Sequence, residues 1–192
     1  MVAARTRLEI ATENLANAST DGFRHATARG ALTRNGVSVT AVADASVQGG
    51  LRHTGRDLDL AIVGPGSFVV ADAAGRHVTT RAGSFTRERD GTLRDATGRM
   101  LLAGGQPLHV PEGASIDEHG RIVSANGLVA GAITLPAGSS VRSGFLESAG
   151  VDAIHEMIDV LSAQRSFESA QKVVSAIDRT REKSSGDVAR LK

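Results

Sequence analysis

The spacing of the apolar residues changes twice along this 192-residue chain, and that change restricts the fold more than any other feature. Apolar residues recur every three or four positions near the start, every second position in the middle, and every three or four positions again near the end. The first spacing is typical of a helix that packs one face, and the second is typical of a half-buried strand. The pattern predicts an α+β fold in which an antiparallel β domain, a meander or a small barrel, is flanked by N- and C-terminal helices.

The N-terminal segment, residues 1–24, is predicted to be a helix followed by an asparagine-rich turn. The polar residues between Asn17 and Gly22 indicate where the helix ends. Asn14 lies inside the helix, where an amide side chain lowers helix propensity and gives an exposed, monomeric helix no benefit. The apolar positions have the spacing of an a/d seam, and they are Met1, Ala4, Leu8, Ala11, Leu15 and Ala18.

The middle of the chain has the signals of strands and tight turns. Residues 25–50 are rich in Ala, Thr, Val and Gly, and we interpret them as weak strand or extended linker. Residues 51–146 are predicted to be the β domain, because short apolar runs such as LDLAIV and SFVVAD alternate with turn signals. Asp90-Gly91 and Asn126-Gly127 are strong hairpin signals, since type I′ turns need positive φ at both central residues. Glycine recurs in similar settings in DAAGRHV, DATGRMLL and DEHGRIV.

Residues 147–183 are predicted to form a long amphipathic helix, followed by a polar tail over residues 184–192. The apolar stripe of this helix is longer than the β domain alone would cover, so it needs a helical partner. The N-terminal seam is the obvious candidate, and we expect the two helices to pair as a coiled coil. The alternative is that both helices pack on the β domain of a monomer. The stripe consists of Ile154, Met157, Leu161, Phe167, Ala170, Val174 and Ile177.

Charge and composition argue against several partners. Lys and Arg number 22 against 21 for Asp and Glu, so the chain lacks the basic excess of nucleic-acid-binding proteins. Cysteine is absent, which excludes disulfides and thiolate chemistry. No apolar run approaches the roughly 20 residues of a membrane span, and the N-terminus has no signal-peptide pattern. We therefore expect no membrane span, and export, if it occurs, without a cleaved signal peptide.

The sequence predicts no catalytic, cofactor or metal site. The glycines of GPGSF lack the following lysine and helix of a phosphate-binding loop. Asp57 and Asp59 share a strand face but have no neighbouring base, and neither Ser67 nor Ser84 lies in a nucleophile elbow. The histidines are scattered and lack metal-ligand spacing; they are His25, His53, His77, His109, His119 and His155.

Four motifs resemble one family of bacterial proteins. NLANASTDGFR resembles the NLAN-x-x-T-x-GF signature of flagellar rod and hook proteins, and TGRDLDLAIVGPGSFVV resembles their TG-x-x-LDLAI-x-G-x-GFFVV segment. TRAGSFTRERDGTLRDATGRMLL is similar to a TRAG-x-F segment of that family, and GFLESAGVDAIHEMIDVLSAQRSFESAQKVV is similar to its closing helix. The motifs occur in the family's order and cover most of the chain. They fit the proximal-rod type best and the distal-rod type second.

The resemblance implies an axial structural subunit of the flagellar basal-body rod. Such a subunit is exported by the flagellar type III apparatus, assembles helically in the periplasm with copies of itself and other rod proteins, and transmits torque. The alternatives are a monomeric interaction module of the flagellar apparatus and a divergent paralogue with a binding role. The expected assembly interface consists of Leu8, Ala11, Asn14, Leu15, Asn17, Gly22, Phe23, Ile154, Met157, Leu161, Phe167, Val174 and Ile177.

The sequence also departs from the family pattern in several places. Ser67 stands where the pattern has its first phenylalanine, and Gly150 stands where the pattern has asparagine. The chain begins closer to the first helix than the pattern does, and the stretch between Leu135 and Gly144 is shorter. These departures are the reason why the divergent paralogue stays among the alternatives.

Overall fold

The computed structural model describes residues 2–33, 36–43 and 48–189. The chain divides into two compact units. The helical unit comprises Met1–Ala16, Ala26–Ala43 and Asp152–Lys192, and the β unit comprises Asn17–His25 and Asp44–Val151. The predicted α+β class is confirmed by the two helices and many antiparallel strands.

The helical unit contains two helices and a β-hairpin. Helix α1 spans Val2–Ala16, strands β1 and β2 span Ala26–Thr33 and Gly36–Ala43, and helix α2 spans Ala153–Ala189. The hairpin is antiparallel, and α1 contacts α2 as well as both strands. Of the two structures that the sequence left open for residues 25–50, weak strand is therefore the one observed over β1 and β2.

Helix α2 begins at Ala153 rather than near residue 147. The carboxylate of Asp152 accepts hydrogen bonds from the backbone N–H groups of Ile154 and His155, at 2.9 and 3.4 Å. This is the geometry of an aspartate N-cap, which satisfies donors that have no partner within the helix. The preceding residues Phe145–Glu147 form a strand instead. No helix within the described residues is both long and apolar enough to cross a membrane.

Short antiparallel strands make up the β unit. In chain order they are β3 Leu51–His53, β4 Leu60–Val63, β5 Phe68–Ala71, β6 His77–Thr80, β7 Phe85–Arg87, β8 Leu93–Asp95, β9 Met100–Ala103, β10 Gln106–Pro107, β11 Ser115–Ile116, β12 Arg121–Val123, β13 Val129–Ala132, β14 Ser140–Ser143 and β15 Phe145–Glu147.

The described strands of the β unit form separate open sheets. The largest has the order β6-β5-β9-β8-β7 with β10 paired to β9, and a second has the order β11-β12-β13. Strand β14 pairs with β4, and β15 pairs with β3. Meander connections occur in β7-β8-β9 and β11-β12-β13, whereas none of these sheets closes into the small barrel that was the other expectation.

Aliphatic residues and two phenylalanines form the core of the β unit. Phe68 and Phe85 pack edge to face, with ring centroids 5.4 Å apart, and both are fully buried. Leu60, Leu93 and Leu101 are also fully buried around them. The short strands contain few aromatic residues, but together they bury one shared apolar face. Burial of this face holds the open sheets together.

An Asp-x-x-Gly-Arg loop occurs three times in the β unit, at Asp72, Asp95 and Asp117. In each loop one aspartate oxygen accepts the backbone N–H groups two and four residues later, at 2.9–3.0 Å. The other oxygen accepts the arginine Nε–H at 2.7–2.8 Å. The glycine has φ of 75–81°, which is a conformation that glycine adopts without steric cost. The DAAGRHV, DATGRMLL and DEHGRIV signals therefore mark true tight turns.

Candidate assembly interface

Helix α1 buries one face and leaves the other exposed. Ile10, Ala11 and Asn14 are buried, at 6%, 7% and 1% exposure. Leu8 and Leu15, which belong to the predicted seam, are half-buried. Ala4, Leu8, Ala11 and Leu15 of the predicted seam are thus buried or half-buried on α1, which contacts α2 and the hairpin. Met1 lies outside the described residues, and Ala18 lies beyond the end of α1.

Asn14 is hydrogen-bonded to two other elements of the helical unit. Its Nδ2 donates to the carbonyl oxygen of Ala26 at 2.9 Å, and its Oδ1 accepts the N–H of Ala26 at 2.9 Å. Nδ2 also donates to Oε2 of Glu156 at 3.3 Å, and Glu156 is only 3% exposed. The amide that lowers helix propensity therefore joins α1 to the first residue of β1 and to the first turn of α2.

Helix α2 has two apolar faces rather than the single stripe that the sequence suggested. The covered face carries the buried Glu156 and half-buried residues at heptad spacing: Ala153, Val160, Ala163, Phe167 and Ala170. The open face consists of Ile154, Met157, Ile158 and Leu161, which are 72%, 53%, 56% and 56% exposed. Since Glu156 bonds Asn14, we infer that α1 packs on the covered face. The predicted stripe mixed the two faces, because most of the open face is one residue out of step with the covered face.

The part of α2 from Gln171 to Glu182 is exposed on all sides. No residue from Gln171 to Glu182 is even half-buried. Val173, Val174 and Ile177 are 56%, 40% and 47% exposed. Helix α1 has 15 residues and α2 has 37, so at about 1.5 Å per residue the shorter helix can cover less than half of the longer one.

Asn17, Gly22 and Phe23, which were predicted for the same interface, belong to the β unit. Gly22 has φ of 71°, and a Cβ placed there would lie 2.2 Å from the backbone nitrogen of Ala82. Its N–H donates to the carbonyl oxygen of Glu147 at 2.6 Å. Phe23 is half-buried, and its carbonyl oxygen accepts the N–H of Gly150 at 3.0 Å. The glycine of the T-x-GF signature is thus explained by a close backbone approach inside the β unit.

Sequence reasoning missed a buried ion pair in the β unit. Arg81 and Glu147 are 3% and 2% exposed, and Nη1 of the arginine lies 2.9 Å from Oε2 of the glutamate. The same guanidinium donates to the carbonyl oxygens of Ile62, Gly64 and Gly66. The other glutamate oxygen accepts the N–H of Gly49 at 3.2 Å. Both partners lie in the motifs that resemble the family, since Arg81 is the arginine of TRAG and Glu147 is the glutamate of GFLES.

The remaining polar candidates do not assemble into a reactive site. Asp57 is exposed, whereas Asp59 is 1% exposed, with Nη1 of Arg56 3.6 Å from its Oδ1. Within the described residues, no three His, Asp or Glu side chains come close enough together to hold a metal ion. The polar side chains that are deeply buried act in hydrogen bonds and ion pairs that organise the two units.

The chain matches three models of flagellar protein families. Residues 1–24 match the flagella basal body rod protein model, residues 61–116 match the flagellar hook protein FlgE/F/G D1 domain, and residues 142–186 match the flagellar basal body rod FlgEFG protein C-terminal model. These segments contain Asn14, Gly22, Arg81 and Glu147, the residues around which the contacts described above are arranged.

Individual relatives match over nearly the whole chain. The flagellar basal-body rod protein FlgF of Caulobacter vibrioides is 31% identical, over 97% of this chain and 92% of its own length. The flagellar basal-body rod protein FlgG of Agrobacterium fabrum is 27% identical, over 93% of this chain and 92% of its own length. The flagellar hook protein FlgE of Rhizobium meliloti is 34% identical, over 73% of this chain but only 40% of its own length.

The chain is an α+β structural protein. It has packed terminal helices, a separate β unit and a long helix with exposed apolar faces. The chain belongs to the flagellar basal-body rod and hook protein family, and within it to the FlgF/FlgG-like members. It is a structural subunit of the basal-body rod.

Proposed function

We propose that this chain assembles helically with copies of itself and with other flagellar rod proteins, through its two terminal helices, and that the assembly transmits torque. The observation that carries this proposal is the open surface of α2. Its open face and its second half expose seven large apolar side chains between Ile154 and Ile177. Ile154, Met157, Ile158 and Leu161 are neighbours at helical spacing, and an exposed apolar patch of this kind is typical of a protein–protein interface.

The unequal lengths of the helices support an interface between chains. Helix α1 is too short to reach Val173, Val174 and Ile177 if Asn14 stays beside Glu156. Burial of these side chains against a helix of a neighbouring subunit would remove apolar area from water, at about 25 cal/mol per Å². We propose that the pairing of α1 and α2 within the chain has coiled-coil character, with Leu8, Ala11 and Leu15 on the α1 side and Phe167 on the α2 side. Val174 and Ile177 continue the heptad positions of α2 and would pair with a helix of the neighbouring subunit.

The location that fits this role is the periplasmic part of the basal body, reached through the flagellar type III export apparatus without a cleaved signal peptide. The division of the chain supports this role, since the helices and the β unit form separate compact units. In a tube built by the helices, many weak packing contacts would add along each helix.

A single charged substitution tests the proposal. Leu161 is 56% exposed in the single chain, so Leu161→Asp should leave the isolated protein folded. If Leu161 is buried between subunits, the aspartate would be desolvated there and rod assembly should fail. Ser169→Asp, at an exposed polar position of the same helix, is the matched control.

The readouts are mass spectrometry of purified basal bodies and swimming of the source bacterium. We expect the unchanged chain in basal bodies, a non-motile deletion strain, no rescue by Leu161→Asp and full rescue by Ser169→Asp. Absence of the unchanged chain from basal bodies, or normal swimming with Leu161→Asp, would exclude the proposed assembly and favour a monomeric interaction module.

A further inference from the structure

The α1–α2 contact joins two helices whose apolar faces allow more than one arrangement. The packed side of α1 carries small residues such as Ala3, Ala4 and Ala11 next to Leu8 and Ile10. An alanine-rich helix surface can pack against a partner helix at several axial positions. A shift of one heptad again places small and apolar residues opposite one another. Helix α2 adds a second ambiguity, since both its covered face and its open face are apolar.

Asn14 and Glu156 are the buried polar side chains at this contact, and their bonding is complete in only one arrangement. One N–H of the Asn14 amide is donated to the carbonyl oxygen of Ala26 and the other to Glu156, while Oδ1 accepts the Ala26 N–H. Every hydrogen-bonding group of the amide is thus used.

The direction of packing follows from the positions of the half-buried residues. On α2 these positions continue from Glu156 toward Ala170, whereas most of α1 lies before Asn14. Antiparallel packing of the two helices accounts for both distributions, and with Asn14 beside Glu156 it would place Ile10 opposite Val160. A slide of one heptad would place Asn14 opposite Ala163, and a rotation to the open face would place it opposite Met157. Ala163 has no side-chain acceptor and Met157 has only a weakly accepting thioether, so the second N–H would lose its charged acceptor.

We propose that the hydrogen-bonded pair Asn14–Glu156 sets the register of the two helices. It selects the axial position of α1 along α2 and the face of α2 that α1 covers. The open face of α2 is left uncovered as a consequence. A single buried asparagine can specify register in paired helices at some cost in stability, because only the intended alignment satisfies its amide. This inference concerns one chain and does not depend on rod assembly.

Cysteine cross-linking can measure the register directly, because the natural chain contains no cysteine. Three double variants of the full chain are needed. Ile10→Cys with Val160→Cys reports the arrangement with Asn14 beside Glu156, Ile10→Cys with Phe167→Cys reports the slide of one heptad that places Asn14 opposite Ala163, and Ile10→Cys with Leu161→Cys reports the open face. A one-heptad slide moves residues by about 10 Å along the axis, which exceeds the Cα separation of roughly 4.4–6.8 Å that a disulfide accepts.

In the otherwise unchanged chain we expect the disulfide between positions 10 and 160 to dominate. Adding Asn14→Leu should lower the ratio of this product to the two alternative products by roughly fivefold or more, the size expected when contacting polar groups are uncoupled. Glu156→Leu should act in the same direction, whereas Glu156→Gln, which keeps an acceptor oxygen, should retain the original ratio.

Three results would overturn the inference. The first is an unchanged ratio with both Asn14→Leu and Glu156→Leu, which would mean that Asn14 only satisfies the backbone of Ala26. The second is loss of all three products with either leucine variant, which would mean that the pair holds α1 in place without selecting its register. The third is absence of the 10–160 product from the parent chain. Basal-body incorporation is not a readout here, so failure of this inference is distinct from failure of rod assembly.

Discussion

The guanidinium of Arg81 lies 2.9 Å from the carboxylate of Glu147, and both side chains are almost completely buried in the β unit. The arginine also holds three carbonyl oxygens of the segment from Ile62 to Gly66, and the glutamate holds the N–H of Gly49. The carbonyl oxygen of Glu147 accepts the N–H of Gly22. The ion pair and the backbone carbonyl of Glu147 therefore join five parts of the chain that are separated in sequence.

Removal of one partner of this pair should be costly. Glu147→Leu leaves the Arg81 charge buried without its counter-ion, and we expect the free energy of unfolding to fall by about 3–5 kcal/mol. The measurement is urea unfolding followed by far-ultraviolet circular dichroism, since the chain has no Trp or Tyr for fluorescence. The control is Glu112→Leu, because Glu112 is 91% exposed and pairs with Arg87 at 3.5 Å. The control should change stability by less than about 1 kcal/mol. Similar losses in the two variants would contradict the ion-pair argument.

A side chain at Gly22 should disrupt the β unit. Gly22→Ala combines a positive φ with a Cβ position 2.2 Å from the backbone of Ala82, so the backbone itself must move. Gly75→Ala is the matched control, because Gly75 has φ of 75° but no atom within 4 Å of its Cβ position. The control should cost about 1–2 kcal/mol from backbone strain alone. We expect Gly22→Ala to cost clearly more in urea unfolding, and equal losses would show that the close approach is not important.

Truncation of a buried leucine in the core of the β unit and truncation of an exposed leucine on α2 should change the stability of the isolated chain by different amounts. Leu101 is fully buried in the core of the β unit, so Leu101→Ala should lower the free energy of unfolding of the isolated chain by about 2–5 kcal/mol. Leu161 is 56% exposed, so Leu161→Ala should change the stability of the isolated chain by no more than about 0.5 kcal/mol. If Leu161 is buried between subunits, the same variant should reduce the amount of this chain in purified basal bodies. Unchanged incorporation would count against burial of Leu161 in the rod.

Acid should weaken the Asp-x-x-Gly-Arg loops. Burial raises the pKa of Asp95, but hydrogen bonds from Thr97 and Arg99 outweigh it and hold the pKa below its ordinary value of 3.8. A group with a lowered pKa in the folded state contributes stability above pH 3.8 and loses that contribution as the pH falls through the folded-state value. We expect Asp95→Asn to cost stability at pH 7 and to cost much less near pH 2, as measured by urea unfolding at both pH values. An equal cost at both pH values would show that the charge of Asp95 is not what the loop uses.

The local features of this protein were predictable from the sequence. The spacing of the apolar residues predicted both helices and the strands between them, because burial of one face imposes the period of the element on the sequence. The Asp-x-x-Gly-Arg loops were visible as turns, since their hydrogen bonds and positive φ all lie within five consecutive residues. The family motifs also indicated the class of protein that the comparisons support.

The contacts between distant residues were decided only by the tertiary structure. Arg81 and Glu147 are 66 residues apart, and Asn14 and Glu156 are 142 apart, so no local pattern joins either pair. The sequence likewise placed Gly22 with the first helix, although its neighbours in the fold are Arg81, Ala82 and Glu147. The spacing of apolar residues predicted that α2 has an apolar surface. It did not indicate which of these residues lie on the covered face and which on the open face. The hydrophobic effect has no direction, and only the hydrogen bonds and close backbone approaches of the folded chain select one packing among several.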